Sequence, residues 1–387
     1  MTGTPAVEVD RHILEQVRTR LARDGMALTP EYVARALRDQ GRPVGDRAVL
    51  AVHDALRREV IGAGPLEPLL RTSGVTDVLV NGPDQVWMDR GAGLERCAVT
   101  FPDDEAVRRL AQRLAASVGR RLDDASPFVD LRLDDGTRFH AVLAPLARPG
   151  TTLSLRVPRA RVFTLAELVA AGALSDTGAA LLRRIVERRC AYLVTGGTGS
   201  GKTTLLNALL SLVDPGERLV VVEDASELRP DHPHVVSLEA RPANVEGAGA
   251  VPLQVLVRQA LRMRPDRLVV GEVRGGEVVD LMAAMNTGHE GGCGTVHANS
   301  AADVPSRIEG LALAAGLGRE AAHSQLASAV DVVVHLGRDH GHRYLAEVGV
   351  LTRDADGLVE VRSAVRFDPS GREYEGAGAD RLGVLLR

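Results

Sequence analysis

Residues 196–204, GGTGSGKTT, constrain this chain more than any other stretch. The apolar run Ala191-Tyr192-Leu193-Val194 precedes them and Leu205-Leu206-Asn207-Ala208-Leu209-Leu210 follows, so the local order reads strand, glycine-rich turn, helix. The stretch fits G-x-x-x-x-G-K-[ST], a loop that cradles phosphates. Glycine reaches positive φ without strain and lets backbone N–H groups approach a ligand. Those groups and the helix N-terminus behind them form a concave, partly positive nest for phosphate oxygens. Gly197, Thr198, Gly199, Ser200, Gly201, Lys202, Thr203 and Thr204 are therefore candidate nucleotide contacts. In such a loop the lysine, here Lys202, reaches the β- and γ-phosphates and the hydroxyl, here Thr203, is a ligand for Mg2+.

Composition sharpens this. Of 47 basic side chains Lys202 is the only lysine, and all the others are arginine. A planar guanidinium and a compact ammonium are not interchangeable at a snug site. A chain that carries arginine everywhere else keeps lysine at the one position where the motif requires it. A merely flexible turn leaves that coincidence unexplained.

The chain's length suits two or three domains, and its 45% hydrophobic content is enough for full cores. A net charge of −4 and 3% aromatic residues give no electrostatic or stacking case for direct nucleic-acid binding. The three cysteines, Cys97, Cys190 and Cys293, are dispersed and form no C-x-x-C pair, so a reduced cytoplasmic setting is expected. Residues 1–10 lack the basic-then-apolar pattern of a signal peptide, and no apolar run approaches the ~18 residues of a membrane span. Any membrane association is expected to run through partners.

Five segments are expected. Residues 1–60 read as a short helical segment: apolar stripes run over 9–23, Thr29-Pro30 opens a helix over 32–40, and 46–59 is a third. Residues 61–157 read as an α+β domain, with short strands over 75–80, 85–89, 94–100, 128–133, 138–143 and 151–157 and one helix over 104–118. A hinge linker is expected over 158–164. Residues 165–351 alternate helix and strand as a doubly wound α/β domain, and 352–387 read as a tail with one hairpin and an end that frays.

Two acidic sites follow buried strands. Leu268-Val269-Val270-Gly271-Glu272 delivers a carboxylate to the carboxyl edge of the sheet, where doubly wound sheets bind ligands. Glu272 is the candidate that orients the attacking water or holds Mg2+, through water or directly; capping the next helix is the alternative. Val220-Val221-Val222-Glu223 repeats the pattern, with Glu223 as a metal-side or water-side acid and Asp224 and Glu227 as helix-capping residues. In GHEGGCGTVHANS, residues 288–300, His289, Cys293 and His297 fall at i, i+4, i+8, but Gly291, Gly292 and Gly294 argue against the helix a metal face would need. His297 is a candidate γ-phosphate sensor or partner of Glu272, with a satisfied structural histidine as the alternative.

Together GGTGSGKTT, VVVEDASEL, MRPDRLVVGEVRGGE and NTGHEGGCGTVHANS resemble the boxes of the secretion, or traffic, ATPases of type II, type IV pilus and type IV secretion systems. GPLEPLL, VTDVLVNGP, VWMDRGAGLER and DGTRFHAVLAP extend the likeness toward the tight-adherence (Tad/CpaF-type) pilus-assembly branch. The resemblance spans about residues 60–350. It implies a RecA-like P-loop domain preceded by the α+β domain, a homo-hexameric ring, and ATP with Mg2+ bound between the N- and C-terminal domains. It implies a motor for Tad/Flp-type pilus assembly or related secretion, cytoplasmic and peripheral at the inner face of the membrane, working on inner-membrane platform proteins. It also assigns Arg138 and Arg156 as arginines that contact the phosphates, which fits the general value of guanidinium groups at a transferring phosphoryl group. Two other functions are consistent with the sequence, a nucleic-acid-transfer ATPase of a type IV secretion system and a nucleotide-gated scaffold with little turnover.

Overall fold

The chain divides into two units, Met1–Arg159 and Ala160–Arg387. The computed structural model describes residues 62–387 except 92, 158–161, 242, 244–247 and 340; before these it describes residues 16, 17, 20, 29–39, 45, 48–50, 52 and 53. Most of the helices expected over 9–23 and 46–59, and the first part of the expected hinge, lie outside the described residues.

In the first unit, helix α1 (Pro30–Arg38) starts where Thr29 accepts a hydrogen bond from the Tyr32 N–H and proline takes the first helical position, and it buries Tyr32, Val33, Ala36 and Leu37. Six antiparallel strands follow: β1 (Asp77–Asn81), β2 (Val86–Asp89), β3 (Leu94–Arg96), β4 (Phe128–Arg132), β5 (Arg138–Val142) and β6 (Thr152–Arg156), in the order β3-β2-β1-β6-β5-β4. Strict alternation sorts their side chains. Val78, Val80, Phe139, Ala141, Leu153 and Leu155 turn inward and pack with Val107, Leu110 and Leu114 of α2 (Asp104–Ser117), which Asp103 caps. Their neighbours in sequence, among them Asp77, Arg138, His140, Ser154 and Arg156, occupy the other face.

The second unit is built on a nine-stranded sheet. Helices α3 (Leu165–Ala170) and α4 (Asp176–Glu187) lead to strand β7 (Tyr192–Gly196) and helix α5 (Lys202–Leu210). Then come β8 (Leu219–Glu223), β9 (Val235–Glu239), α6 (Leu253–Ala260), β10 (Arg267–Val273), α7 (Glu277–Met285), β11 (Cys293–Val296), α8 (Val304–Ala314) and α9 (Arg319–Ala329). Strands β12 (Val332–Asp339), β13 (His342–Arg353), β14 (Val359–Phe367) and β15 (Glu373–Glu375) and helix α10 (Ala379–Leu385) complete it. The order is β15-β14-β13-β12-β7-β11-β10-β8-β9, parallel from β12 to β9 and antiparallel from β12 to β15. The parallel strands read as unbroken apolar runs because both faces are covered. Tyr192, Val194, Leu219 and Val221 join one core with α4 and α5, while Leu193, Val220 and Val222 join the other with α6 to α9.

Residues 352–387, expected as a tail with one hairpin and an end that frays, continue the sheet, and their end is a helix rather than a frayed coil. β14 pairs along β13, β15 pairs with β14, and α10 buries Leu382. The tail holds because Ala364, Phe367, Leu382 and Leu386 enter the same core as α5. Strand β9 also had no clear sequence signal. It is an edge strand, its five side chains are only half-buried or exposed, and histidine and proline break the pattern before it.

Candidate functional site

Strand β7 lies between β12 and β11, and the chain must cross from one side of β7 to the other to make β12 after β11. Such a reversal of strand order opens a crevice at the carboxyl ends of the strands, and there the turn Gly196–Gly201 leads into α5. Gly196, Gly199 and Gly201 all have positive φ, at 148°, 71° and 98°. A Cβ on Gly196 would stand 2.6 Å from both the Leu336 carbonyl oxygen and Ser200 Oγ, so no other residue fits. Gly201 is the N-cap and supplies no side-chain cap, which leaves the first-turn amides of α5 facing outward for an anion. Among the described residues, buried Ser200 Oγ has no hydrogen-bond partner. Lys202 curls back, its Nζ donating to the carbonyls of Gly196 at 2.9 Å and Gly197 at 3.0 Å. Burial pulls its ammonium pKa below the ordinary lysine range, a loss the charge of Glu272 partly offsets.

Glu272 stands on β10 at an irregularity in its ladder with β11. Val270 pairs with Gly294 and Val273 with Val296, so β10 spends one extra residue across the step that holds Gly271 and Glu272. Such a bulge re-aims side chains at functional sites. The Gly271 carbonyl accepts from the Thr295 hydroxyl at 2.7 Å. Arg274 Nη2 donates to Glu272 Oε2 at 2.5 Å, and its Nη1 lies 3.9 Å from Asp224. Burial pushes the Glu272 carboxyl up, but Arg274, then Lys202 and His297, outweigh it and hold the group below the usual carboxylate range. Glu272 does not cap the next helix: the N-cap of α7 is Gly276, with no side-chain cap, and Glu277 Oε1 accepts from the N–H groups of Arg274 and Gly275 just before the helix at 2.6 and 2.7 Å. Arg274 and Glu277 were missed by the sequence reading; the closeness of a basic residue two positions after Glu272 was the available signal.

Glu223 is buried, and its carboxylate faces the protein rather than an open position. Oε1 accepts from the N–H groups of Glu227 and Leu228, both at 3.1 Å, and Oε2 from Leu228 at 3.3 Å. A Cβ on Gly271 would meet Glu223 Cγ at 2.5 Å, so the glycine before Glu272 makes room for the neighbouring acid. Burial raises the Glu223 pKa to about 7. The expected capping of a following helix by Asp224 and Glu227 is corrected: no helix follows β8, and residues 224–234 run as a loop to β9, organised by Glu223. His297 follows β11 half-buried, close enough to lower the Glu272 pKa. His289 Nδ1 contacts the Ala284 carbonyl oxygen, and Cys293 is wholly buried in the core, its thiol pushed up to about 11.

In the first unit, Arg138 and Arg156 are direct partners across β5 and β6, and Arg132 pairs with Arg138 from β4. The row continues through Asp77, opposite Arg156, to Asp89. Arg132 Nε donates to the Gly136 carbonyl at 3.2 Å, and Arg138 lies 3.8 Å from Asp130. Three cations side by side on one sheet face repel each other, which makes the row suited to an anion. Arg132 was not singled out by sequence, because its place beside the other two depends on strand register.

Residues 59–366 match the family described as type II/IV secretion system protein. A protein of Mycobacterium tuberculosis provisionally named for conjugal transfer is 59% identical over 324 residues, covering 82% of this chain and 92% of that protein. The conjugal transfer protein TrbB of Rhizobium radiobacter is 30% identical over 279 residues, covering 71% of this chain and 83% of its own. Among solved structures, the pilus retraction motor PilT with bound ADP superposes with a TM-score of 0.50 at 18% identity, over 81% of this chain and 82% of that one; this likeness concerns the fold alone.

Proposed function

The chain belongs to the type II/IV secretion system protein family, and from that premise we propose that it is an ATP-hydrolysing motor of a secretion or pilus-assembly machine. The observation that carries the reading is the meeting of Lys202 and Glu272 in each other's field at the carboxyl edge of one sheet, with the glycine loop and open α5 amides beside them.

Each residue then has a task. The amides of 197–204 and Lys202 bind the polyphosphate, the ammonium exchanging the Gly196 and Gly197 carbonyls for phosphate oxygens. The hydroxyl of Thr203 and the carboxylate of Glu272 are hard oxygen donors of the kind Mg2+ prefers. The ion, when bound, neutralises charge on the phosphates. Glu272, kept ionised by Arg274, orients water as an acceptor rather than carrying a proton away, because a depressed carboxylate is a weak base at neutral pH. Glu223 holds the loop at 224–228, and His297 tunes Glu272. Arg138 and Arg156 supply guanidinium groups to the transferring phosphoryl group.

In this reading the motor is a homo-hexamer at the inner face of the cell membrane, gripping platform proteins of a tight-adherence pilus. Among the described residues no helix is long and apolar enough to cross a membrane. A second reading has its own support, since the relatives are named for conjugal transfer; there the same motor serves nucleic-acid transfer. The test is ATP turnover by the full chain with sizing in a non-hydrolysable analogue. Turnover with a ring supports the motor, and nucleotide binding without phosphate release supports a gated scaffold. Filter retention of single-stranded DNA at moderate salt supports the transfer reading, against which the net charge of −4 argues.

A further inference from the structure

The hairpin of β12 and β13 runs on past the end of β7. Leu336 pairs with Gly196, the last residue of β7, so the residues beyond Leu336 lie alongside the phosphate loop rather than beside a strand. Gly341, at φ 89°, helps close the hairpin between Asp339 and His342. Gly337 and Tyr344 pair on one face, where the Tyr344 ring covers the glycine so closely that a Cβ there would meet Cζ at 2.8 Å. The other face carries the next pair, Arg338 opposite Arg343.

These two guanidinium groups border the loop. Arg343 Nε donates to the Gly199 carbonyl at 2.6 Å, and its Cδ lies 3.7 Å from where a Cβ on Gly201 would stand. Arg338 Nη1 lies 3.7 Å from the corresponding point on Gly199. Leu336, two residues before Arg338 and so on its face, packs in the core with Leu205, Leu206 and Leu209 of α5. Among the described residues no hydrogen bond or ion pair occupies the exposed Arg338. Like charges directly opposite each other destabilise a ladder, and a guanidinium fork matches phosphate oxygens.

We propose that Arg338 contacts the phosphates of the bound nucleotide and that Arg343 is a positioning residue that holds Gly199 for it. The proposal rests on reading the loop as a nucleoside triphosphate site. The β12–β13 hairpin becomes a second cationic wall, set across the loop from Glu272 and Arg274.

The test uses the full chain with ATP, ADP and inorganic tripolyphosphate, by calorimetry in EDTA so that no turnover enters. The wild type binds all three, and Lys202→Ala abolishes binding. Arg338→Gln loses about ten-fold or more in affinity for each and shows a weaker dependence of affinity on salt. Arg343→Gln loses affinity, and Arg343→Lys recovers it in part because one donor to the Gly199 carbonyl suffices. Wild-type affinity and salt dependence in Arg338→Gln, with Lys202→Ala inactive, overturn the proposal and leave the nucleotide site standing. Wild-type binding by Lys202→Ala overturns both.

Discussion

Glu272, on β10, and Arg274, one residue past the end of that strand, close an ion pair at 2.5 Å beside the phosphate loop. The guanidinium keeps the acid charged despite its burial. Glu272→Gln should retain ATP binding and lose hydrolysis by about a hundred-fold or more, read as phosphate release against nucleotide affinity. Arg274→Gln leaves burial unopposed by its strongest counterweight, so the Glu272 pKa rises. The acid limb of the kcat profile should then move to higher pH, and an unmoved limb would remove Glu272 from the rate-limiting ionisation.

Lys202→Ala should abolish turnover while leaving the melting profile of the apo chain close to wild type, because among the described residues the ammonium's hydrogen bonds go to two loop carbonyls. The check pairs circular dichroism with steady-state phosphate release.

The row Arg132, Arg138 and Arg156 predicts that stability and activity separate. Replacing Arg138 or Arg156 by Gln relieves repulsion between direct cross-strand neighbours but also removes the attraction of Asp130 or Asp77, so the stability of the first unit should change by less than about 1 kcal/mol. The same change should lower kcat by about ten-fold or more. Denaturant melts and turnover on one preparation read both effects.

Glu223 makes stability depend on pH. Its folded pKa, about 7, lies above the ordinary glutamate value of 4.5, so the folded state binds the extra proton between those values. The contribution of Glu223 to stability is therefore fully present below pH 4.5 and is lost as pH rises through 7, by an amount on the order of 3 kcal/mol across the window. Glu223→Gln keeps an acceptor for the Leu228 or Glu227 N–H but cannot ionise, so its melting temperature should fall less than the wild type's from pH 5 to pH 8.

What the sequence disclosed was local chemistry. The glycine turn, Lys202 and the strand ending in Glu272 lie within short windows, and local spacing is enough to identify them. The bulge at Gly271–Glu272 and the alignment of Arg132 with Arg138 and Arg156 depend on which strand pairs with which and in what register. The same limit hid where the hairpin expected in residues 352–387 belongs: β14 and β15 join the sheet only by pairing on from β13. Glu223 shows the converse: its motif was visible, but its task, capping two amides of a loop, required the loop's path.

One margin of the nine-stranded sheet is β15, three residues whose side chains are all exposed and two of which are glutamates flanking Tyr374. A strand this short offers few unpaired amides, and its carboxylates repel an identical margin. Copies of this chain are thereby discouraged from zipping together along that border, and stacking into fibrils there is blocked by charge. Assembly of copies is thereby steered toward other surfaces.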